Sequence, residues 1–306
     1  MILIISHKED YTSDYLINIL NKREIPYHRL NTDDIGIKHD INYQSGSNIR
    51  ISIDGYENFK SIWFRRTKSP DFSFSNENER AFFVKDFKAF LNNLWSSLDV
   101  KNWISHPNNI DKAENKLYQL KIAKSIGFDI PQTIVSTDKE KIELFFKENN
   151  EQVIIKPLFG GRFFENGKAK LIFTNKVKKE HILNGKDFIS FPMIFQQEII
   201  KKYELRVTVV DDKVFSAKVD SQSNVSTQLD WRKDRTQFTK YNLPESITEK
   251  CKEIVRTLNL KFGAIDLIKT DSGYVFLEIN PNGQWVWIEN DTGLKISDEI
   301  IKLLTK

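Results

Sequence analysis

Phe262-Gly-Ala-Ile-Asp266-Leu-Ile-Lys-Thr-Asp-Ser-Gly-Tyr-Val-Phe-Leu-Glu278-Ile-Asn280-Pro-Asn-Gly283 is the most informative stretch of this chain. Two apolar runs flank a Thr-Asp-Ser-Gly turn, a pattern that predicts a β-hairpin. Glu278 and Asn280 stand two residues apart on the second strand, so their side chains leave on one face. The hairpin folds Asp266 back towards them. Two carboxylates and an amide oxygen then converge. Such hard oxygen ligands suit Mg²⁺, which completes its octahedron with waters and nucleotide phosphates. Ile265, Leu267, Leu277 and Ile279 mark the strands as buried, and there a carboxylate without a cation is costly. The same pattern also fits acidic residues on the rim of an ordinary sheet, so the hairpin alone leaves two readings open.

At 306 residues the chain is long enough for more than one hydrophobic core. Its net charge of +4, with lysines and acids interspersed, argues against a nucleic-acid partner and leaves acidic or phosphorylated ligands open. Cys251 is the single cysteine, which excludes an internal disulfide. Its neighbours read as an amphipathic helix, and a small helix residue is favoured there over a nucleophile. The opening run Met1-Ile-Leu-Ile-Ile5 is too short for a secretory signal, and no later run would span a bilayer. A cytosolic (cytoplasmic) protein with no membrane partner is expected.

Met1 to Ile5, Thr12 to Arg23 and Tyr27 to Leu30 read as strand, helix and strand, an α/β opening. It lacks G-x-G-x-x-G, so no dinucleotide site is read there. Ser61-Ile-Trp-Phe-Arg65-Arg66 reads as a strand that delivers two arginines to its C-terminal end, where ligands collect in open α/β sheets. Asn76-x-x-Glu79 resembles a capping box and opens a long helix with Phe82, Phe83, Phe87, Phe90, Leu91 and Leu94 on its apolar stripe. The first domain is expected to close near Asn102. Ser105-His-Pro-Asn-Asn-Ile110 reads as a linker, and a helix is expected from Asp111 to Ile126, ended by Gly127. A strand ends at Lys156-Pro157 and leads into a loop with Gly160 and Gly161, followed by a strand at Leu171-Ile-Phe-Thr174. Met193 to Ile200 is a further strand. Glu204 to Val210 and Lys213 to Val219 form two more about the Asp211-Asp212 turn, and Ile296 to Leu304 is a terminal helix.

Four features follow in one order: Lys116 on a helix; Lys156 at a strand end before the glycine loop; Gln197-Glu198-Ile199-Ile200 with Glu204-x-Arg206; and Asp266 … Glu278-x-Asn280. This ordered set resembles the ATP-grasp superfamily from about Ser105 onward. The resemblance implies an α/β (α+β) chain with the ATP-grasp fold and an N-terminal α/β pre-ATP-grasp domain. The implied divisions are 1–104, a central subdomain with the glycine loop at 105–190, and a C-terminal subdomain with the Mg²⁺-binding hairpin at 191–306. It further implies ATP and Mg²⁺ as cofactors. Lys116, Lys156, Gly160 and Gly161 would contact the nucleotide, and the Gln197–Ile200 hinge would offer backbone groups to adenine. Glu204 would accept from the ribose hydroxyls, and Arg206 and Lys218 would face the phosphates. Asp266, Glu278 and Asn280 would hold the metal.

A narrower resemblance rests on Trp63-Phe64-Arg65-Arg66, Asp230-Trp231-Arg232 and Asn280-Pro-Asn-Gly-Gln284-Trp285-Val-Trp287-Ile-Glu289. These resemble the microviridin-type (graspetide) peptide ligases, macrocyclases that join acidic side chains of a ribosomal precursor peptide to Ser or Thr hydroxyls or to Lys amines. The implied chemistry is an acyl phosphate formed from ATP and then displaced, with Arg232 holding the acyl phosphate. The implied partner is a precursor peptide with a leader and an acidic, hydroxyl-rich core, and the family suggests a homodimer. Arg65 and Arg66 are expected either to steer substrate carboxylates or to form an ion pair at a domain interface. Trp285 and Trp287 would line a peptide groove or anchor a core. Two other readings stand beside this one. One is a carboxylate–amine ligase acting on a small amino acid or protein tail, as in glutathione-synthetase-like and ribosomal-protein-modifying enzymes. The other is a non-catalytic nucleotide- or peptide-binding module.

Overall fold

The strand Ile2–Ser6 is buried at every position, with Tyr27–Asn31 on one side and Ser61–Phe64 on the other, all parallel. Asn102–Ile104 adds beyond Ser61–Phe64, giving a four-stranded sheet. A parallel sheet covered on both faces reads as a continuous apolar run, which is why Ile2-Leu-Ile-Ile5 lacks alternation. Leu3 and Ile5 enter one core, and Ile2 and Ile4 enter another.

The computed structural model describes residues 1–159, 162–165, 168–172, 174–184, 192–223, 227, 229, 231–234 and 236–306. Among them a second sheet brings together Asn175–Lys176, Val153–Lys156, Met193–Gln197 and Thr133–Ser136, in that order. It packs on the helix Lys139–Glu148 through a small core of its own that includes Phe145, Phe146, Ile155 and Phe195. The third sheet is antiparallel, in the order Phe238–Lys240, Lys213–Val219, Tyr203–Val210, Phe262–Lys269, Tyr274–Asn280. One of its faces lies on the helix Glu245–Thr257, and the other joins Trp285, Val286 and the terminal helix Ile296–Thr305. Cys251 is fully buried among the first set, and burial pushes its thiol up to about 12. Both larger cores therefore run from the first sheet into the third without a break. No described helix is long and apolar enough to cross a membrane.

Several expectations are corrected. The segment read as a linker starts a helix, Pro107–Ala113, with proline in the first turn and His106 Nδ1 accepting from Asn108 N–H as the cap. The helix expected from Asp111 to Ile126 is broken at Asn115, whose extended backbone makes Lys116 the first residue of a separate helix, Lys116–Ile126. Gly127 does end that helix, in the left-handed conformation. The strand expected at 171–174 lies earlier, at Lys168–Leu171. In the long helix Glu77–Ser97, Asn76 caps as expected, and the buried stripe is Phe87, Leu91, Leu94 and Trp95. Phe82 lies off that stripe, 71% exposed, and Phe90 sits at its edge.

Arg65 follows the strand Ser61–Phe64 and is 1% exposed. Its Nε donates to Asp10 Oδ2 at 3.3 Å and its Nη1 to Asn282 O at 3.4 Å, while Asn282 Nδ2 returns a bond to Arg65 O at 3.0 Å. The ion pair stays within the first domain, and the hydrogen bonds with Asn282 reach beyond it. A buried guanidinium tied to the loop after Asn280 cannot sweep solvent for substrate, so its expected steering role is withdrawn. Burial alone would raise the Asp10 carboxyl, but the Arg65 charge and the Ser13 and Ser6 hydroxyls outweigh it and hold the group at about 2. Asp10→Asn strips a buried cation of its counter-charge and should cost roughly 3–5 kcal/mol at neutral pH. The sign follows from the depressed pKa: the carboxylate's contribution is complete above its unfolded value of ~3.9 and is lost as pH falls through the folded one. Urea midpoints of the wild type and Asp10→Asn should therefore differ by a constant amount above pH ~5 and converge between pH ~4 and ~2.

Candidate active site

Three strands of the third sheet set one row of side chains. Arg206 pairs across to Asp266, and Asp266 pairs across to Glu278, so all three point to the same face. Neighbouring strands lie about 4.8 Å apart, which brings their side-chain tips within bonding reach. Arg206 Nη1 donates to both Asp266 oxygens, each at 2.8 Å. Asn280 Nδ2 lies 3.3 Å from Asp266 Oδ2 and 3.4 Å from Glu278 Oε1. Lys116 Nζ closes the row from the first turn of its helix, 2.6 Å from Glu278 Oε2. The order is cation, carboxylate, amide, carboxylate, cation, and the two carboxylates are partly open to solvent.

The donor set fits a divalent cation. Among the described residues, two carboxylates face one amide, and a cation lies against each: Arg206 on Asp266 and Lys116 on Glu278. The amide shows its NH₂ to them here; a half turn of the same group presents its oxygen. Arg206 Nε is buried with no partner among the described residues.

Glu204 shares the face of Arg206 and is paired with Lys201 Nζ at 2.7 Å. Lys201 was not singled out in the sequence; Ile199-Ile-Lys201 lies in an irregular stretch where no periodicity marks it. Lys218 is corrected. It pairs in register with Leu205, so it lies on the opposite face from Arg206, with its Nζ 4.4 Å from the centre of the Tyr203 ring. It does not face the row. Lys156 stands on the second sheet and donates to Gln196 Oε1 at 2.8 Å. In the hinge, the N–H groups of Gln197 and Glu198 are already given to Gln132 O and Gln152 O, both at 2.9 Å. Ile199 is half-buried and Ile200 is 89% exposed. Gly160 and Gly161 lie outside the described residues, as does the side chain of Arg232. Arg66 is exposed beside the buried Arg65.

The tryptophan string divides. Trp285 is fully buried and meets Tyr15 edge-on at 5.8 Å, so it anchors the core and lines no groove. Trp287 is half-buried and packs on Trp231 and Phe238. Glu289 accepts from Ser297 N–H and from the Ser297 and Tyr15 hydroxyls. Gly283 is obligatory for a close approach: a Cβ there would lie 2.4 Å from that of Ala264.

A second cluster in the first domain also has metal-ligand types. His28 Nε2 and His39 Nδ1 each lie 2.7 Å from Asp54 Oδ2. His39 Nε2 accepts from Asn31 N–H at 3.2 Å, which places the ring proton on Nδ1, towards Asp54. A metal-binding imidazole has the reverse arrangement, with its outer N–H donating. Burial would raise the Asp54 carboxyl, and the Asp40 N–H and both imidazoles bring it below the usual range instead. The cluster is a satisfied hydrogen-bonded knot that ties together the segments carrying these three residues.

Residues 113–304 match the RimK-like ATP-grasp domain and residues 1–111 the MvdD pre-ATP grasp domain. The structure is similar to a RiPP-associated ATP-grasp ligase from Chryseobacterium gregarium in complex with ADP and a leader and core peptide. That likeness has a TM-score of 0.89 and 28% identity, covering 99% of this chain and 96% of that one. It is also similar to the macrocyclase MdnC bound with precursor peptide MdnA, from Microcystis aeruginosa, with a TM-score of 0.87 and 29% identity over 100% of this chain and 99% of that one. Among curated relatives, the tetrahydromethanopterin:alpha-L-glutamate ligase of Methanocaldococcus jannaschii is 24% identical, covering 72% of this chain and 82% of the relative.

Asp266→Asn and Glu278→Gln keep side-chain shape and remove one negative charge each from the row. Each should lower ATP-dependent ADP release at least roughly 100-fold, with circular dichroism showing the folded state retained.

Proposed function

This chain belongs to the RimK-like ATP-grasp family and is an ATP-grasp ligase; on that premise we propose that it joins side chains within a ribosomal precursor peptide. The observation that carries the reading is the Arg206–Asp266–Asn280–Glu278–Lys116 row, set in a chain that aligns over its whole length with peptide-bound ligases. The likeness to ligases bound with leader, core and precursor peptides favours a peptide over a free amino acid.

In this proposal Asp266, Glu278 and Asn280 hold Mg²⁺, which supplies charge neutralisation for the triphosphate. Arg206 keeps Asp266 oriented and faces the phosphates. Lys116 balances Glu278 from the other end of the row. Glu204, held by Lys201, accepts from ribose, and the Gln197–Ile200 hinge offers backbone groups to adenine. Lys156, Gly160 and Gly161 close on the phosphates. The three-part division at 104 and 190 belongs to the same reading.

A substrate Asp or Glu oxygen attacks the γ-phosphorus, the bond to the β,γ-bridging oxygen breaks, and ADP leaves. A Ser or Thr hydroxyl or a Lys amine then attacks the acyl carbon and passes its proton to solvent; the bond from that carbon to the oxygen bridging it to phosphorus breaks, and inorganic phosphate leaves with that bridging oxygen. Arg232 balances the charge of the acyl phosphate, and Arg66 attracts the acidic core of the peptide.

The test is mass spectrometry of a precursor peptide rich in Ser/Thr and Asp/Glu, incubated with the protein, ATP and Mg²⁺. Loss of one water per ring, matched by one ADP, is the expected result. A mass gain equal to an added amino acid would instead support the glutamate-ligase type of activity. No ADP with any such substrate would leave a binding module.

A further inference from the structure

Tyr274–Asn280 is the outer strand of its sheet among the described residues; on its far side Phe276 N–H donates to Asp129 O at 2.8 Å, an isolated bridge, and no described strand pairs with the rest of that edge. At Ile279, between Glu278 and Asn280, a side chain fills that gap. Ile279 N–H donates to Gln119 Oε1 at 3.0 Å, and Gln119 Nε2 donates back to Ile279 O at 2.9 Å. A primary amide offers an acceptor and two donors, so one carboxamide can pair with a residue as a neighbouring strand would. The second Nε2 proton goes to Ala113 O at 2.6 Å, at the end of the preceding helix. Gln119 is 3% exposed, and the need of Ile279 N–H for an acceptor fixes which way its amide points.

The inner side of the strand is where the ladder is weakest. The register shifts between Asp266 and Leu267: Asp266 faces Glu278 and Leu267 faces Phe276, leaving Leu277 as the extra residue of a bulge. Glu278 therefore follows directly on a break in its own pairing. An outer clamp on Ile279 holds the strand two residues beyond the bulge. Residues 278 and 280 leave on one face and 279 on the other, so holding both backbone groups of Ile279 fixes the strand's rotation about its axis. Lys116, one turn before Gln119 on the same helix, reaches Glu278 itself.

We propose that Gln119 is a positioning residue that sets the spacing of Glu278 and Asn280 for a divalent cation; this rests on the metal reading of the row above. It touches neither the cation nor substrate and acts through the Ile279 backbone.

The experiment titrates Mn²⁺, as a paramagnetic stand-in for Mg²⁺, into the full chain with saturating ADP and reads free Mn²⁺ by electron paramagnetic resonance. Gln119→Met fills the same space without polar atoms. Gln119→Glu is isosteric, but it turns an oxygen towards two carbonyls. In folded protein, each should raise the Mn²⁺ dissociation constant about 10- to 100-fold, the usual effect of losing an outer partner of a metal site. A purely structural role would lower the melting temperature and leave the Mn²⁺ affinity of the folded protein unchanged. If Gln119→Met does not fold, Gln119→Glu decides alone. Affinity within twofold of wild type in whichever folded variant is measured overturns the proposal. Asp266→Asn in the same titration separates the two ideas. If it binds Mn²⁺ as wild type does, the metal reading itself has failed; if it is weak while the Gln119 variants bind normally, only the positioning role has failed.

Discussion

Two carboxylates held side by side on neighbouring strands repel each other, and the rest of this molecule is arranged around that repulsion. Here Arg206 balances Asp266 from within the sheet, and Lys116 balances Glu278 from a helix outside it. The inner edges of both carboxylates stay directed at Asn280, where a divalent cation is the natural complement. Each participant comes from a different element, so the site exists only if sheet register and helix docking are both correct.

Register is protected by burial. Shifting Tyr203–Val210 by one residue against Phe262–Lys269 would send Leu205, Val207 and Val209 to the site face and Arg206 into the apolar core. The two large cores run from the first sheet through the third, which makes the first domain a structural part of the site's scaffold. Arg65 reinforces that link at the loop after Asn280, and Trp285 does so behind it. The second sheet has a separate core and carries Lys156 at the end of one strand.

Much of this was legible in local pattern. The hairpin, the shared face of Glu278 and Asn280, the Glu204–Arg206 pair, the Asn76 cap and the Gly127 stop all follow from periods of two or 3.6 residues and from turn chemistry. Lys218 was misplaced because the strand and its turn were visible but the register was not, and one residue decides the face. Arg65 resembled its neighbour Arg66; burial separates them, and nothing within the string Trp-Phe-Arg-Arg records burial. Gln119 carried no signal, since a glutamine at one position of a helix is ordinary until a strand edge is laid against it.

The sequence by itself determined most of the strands and helices, that the last hairpin gathers two carboxylates and an amide on one face, and the family resemblance carried by the order of its motifs. These are properties of near neighbours in the chain. Tertiary structure alone decided that Lys116 balances Glu278, that Gln119 pairs with Ile279, that Lys218 turns away and that Arg65 is an internal strut. Each of those outcomes depends on which distant segment packs alongside, and packing is fixed by the burial of whole faces, not by the residues next door.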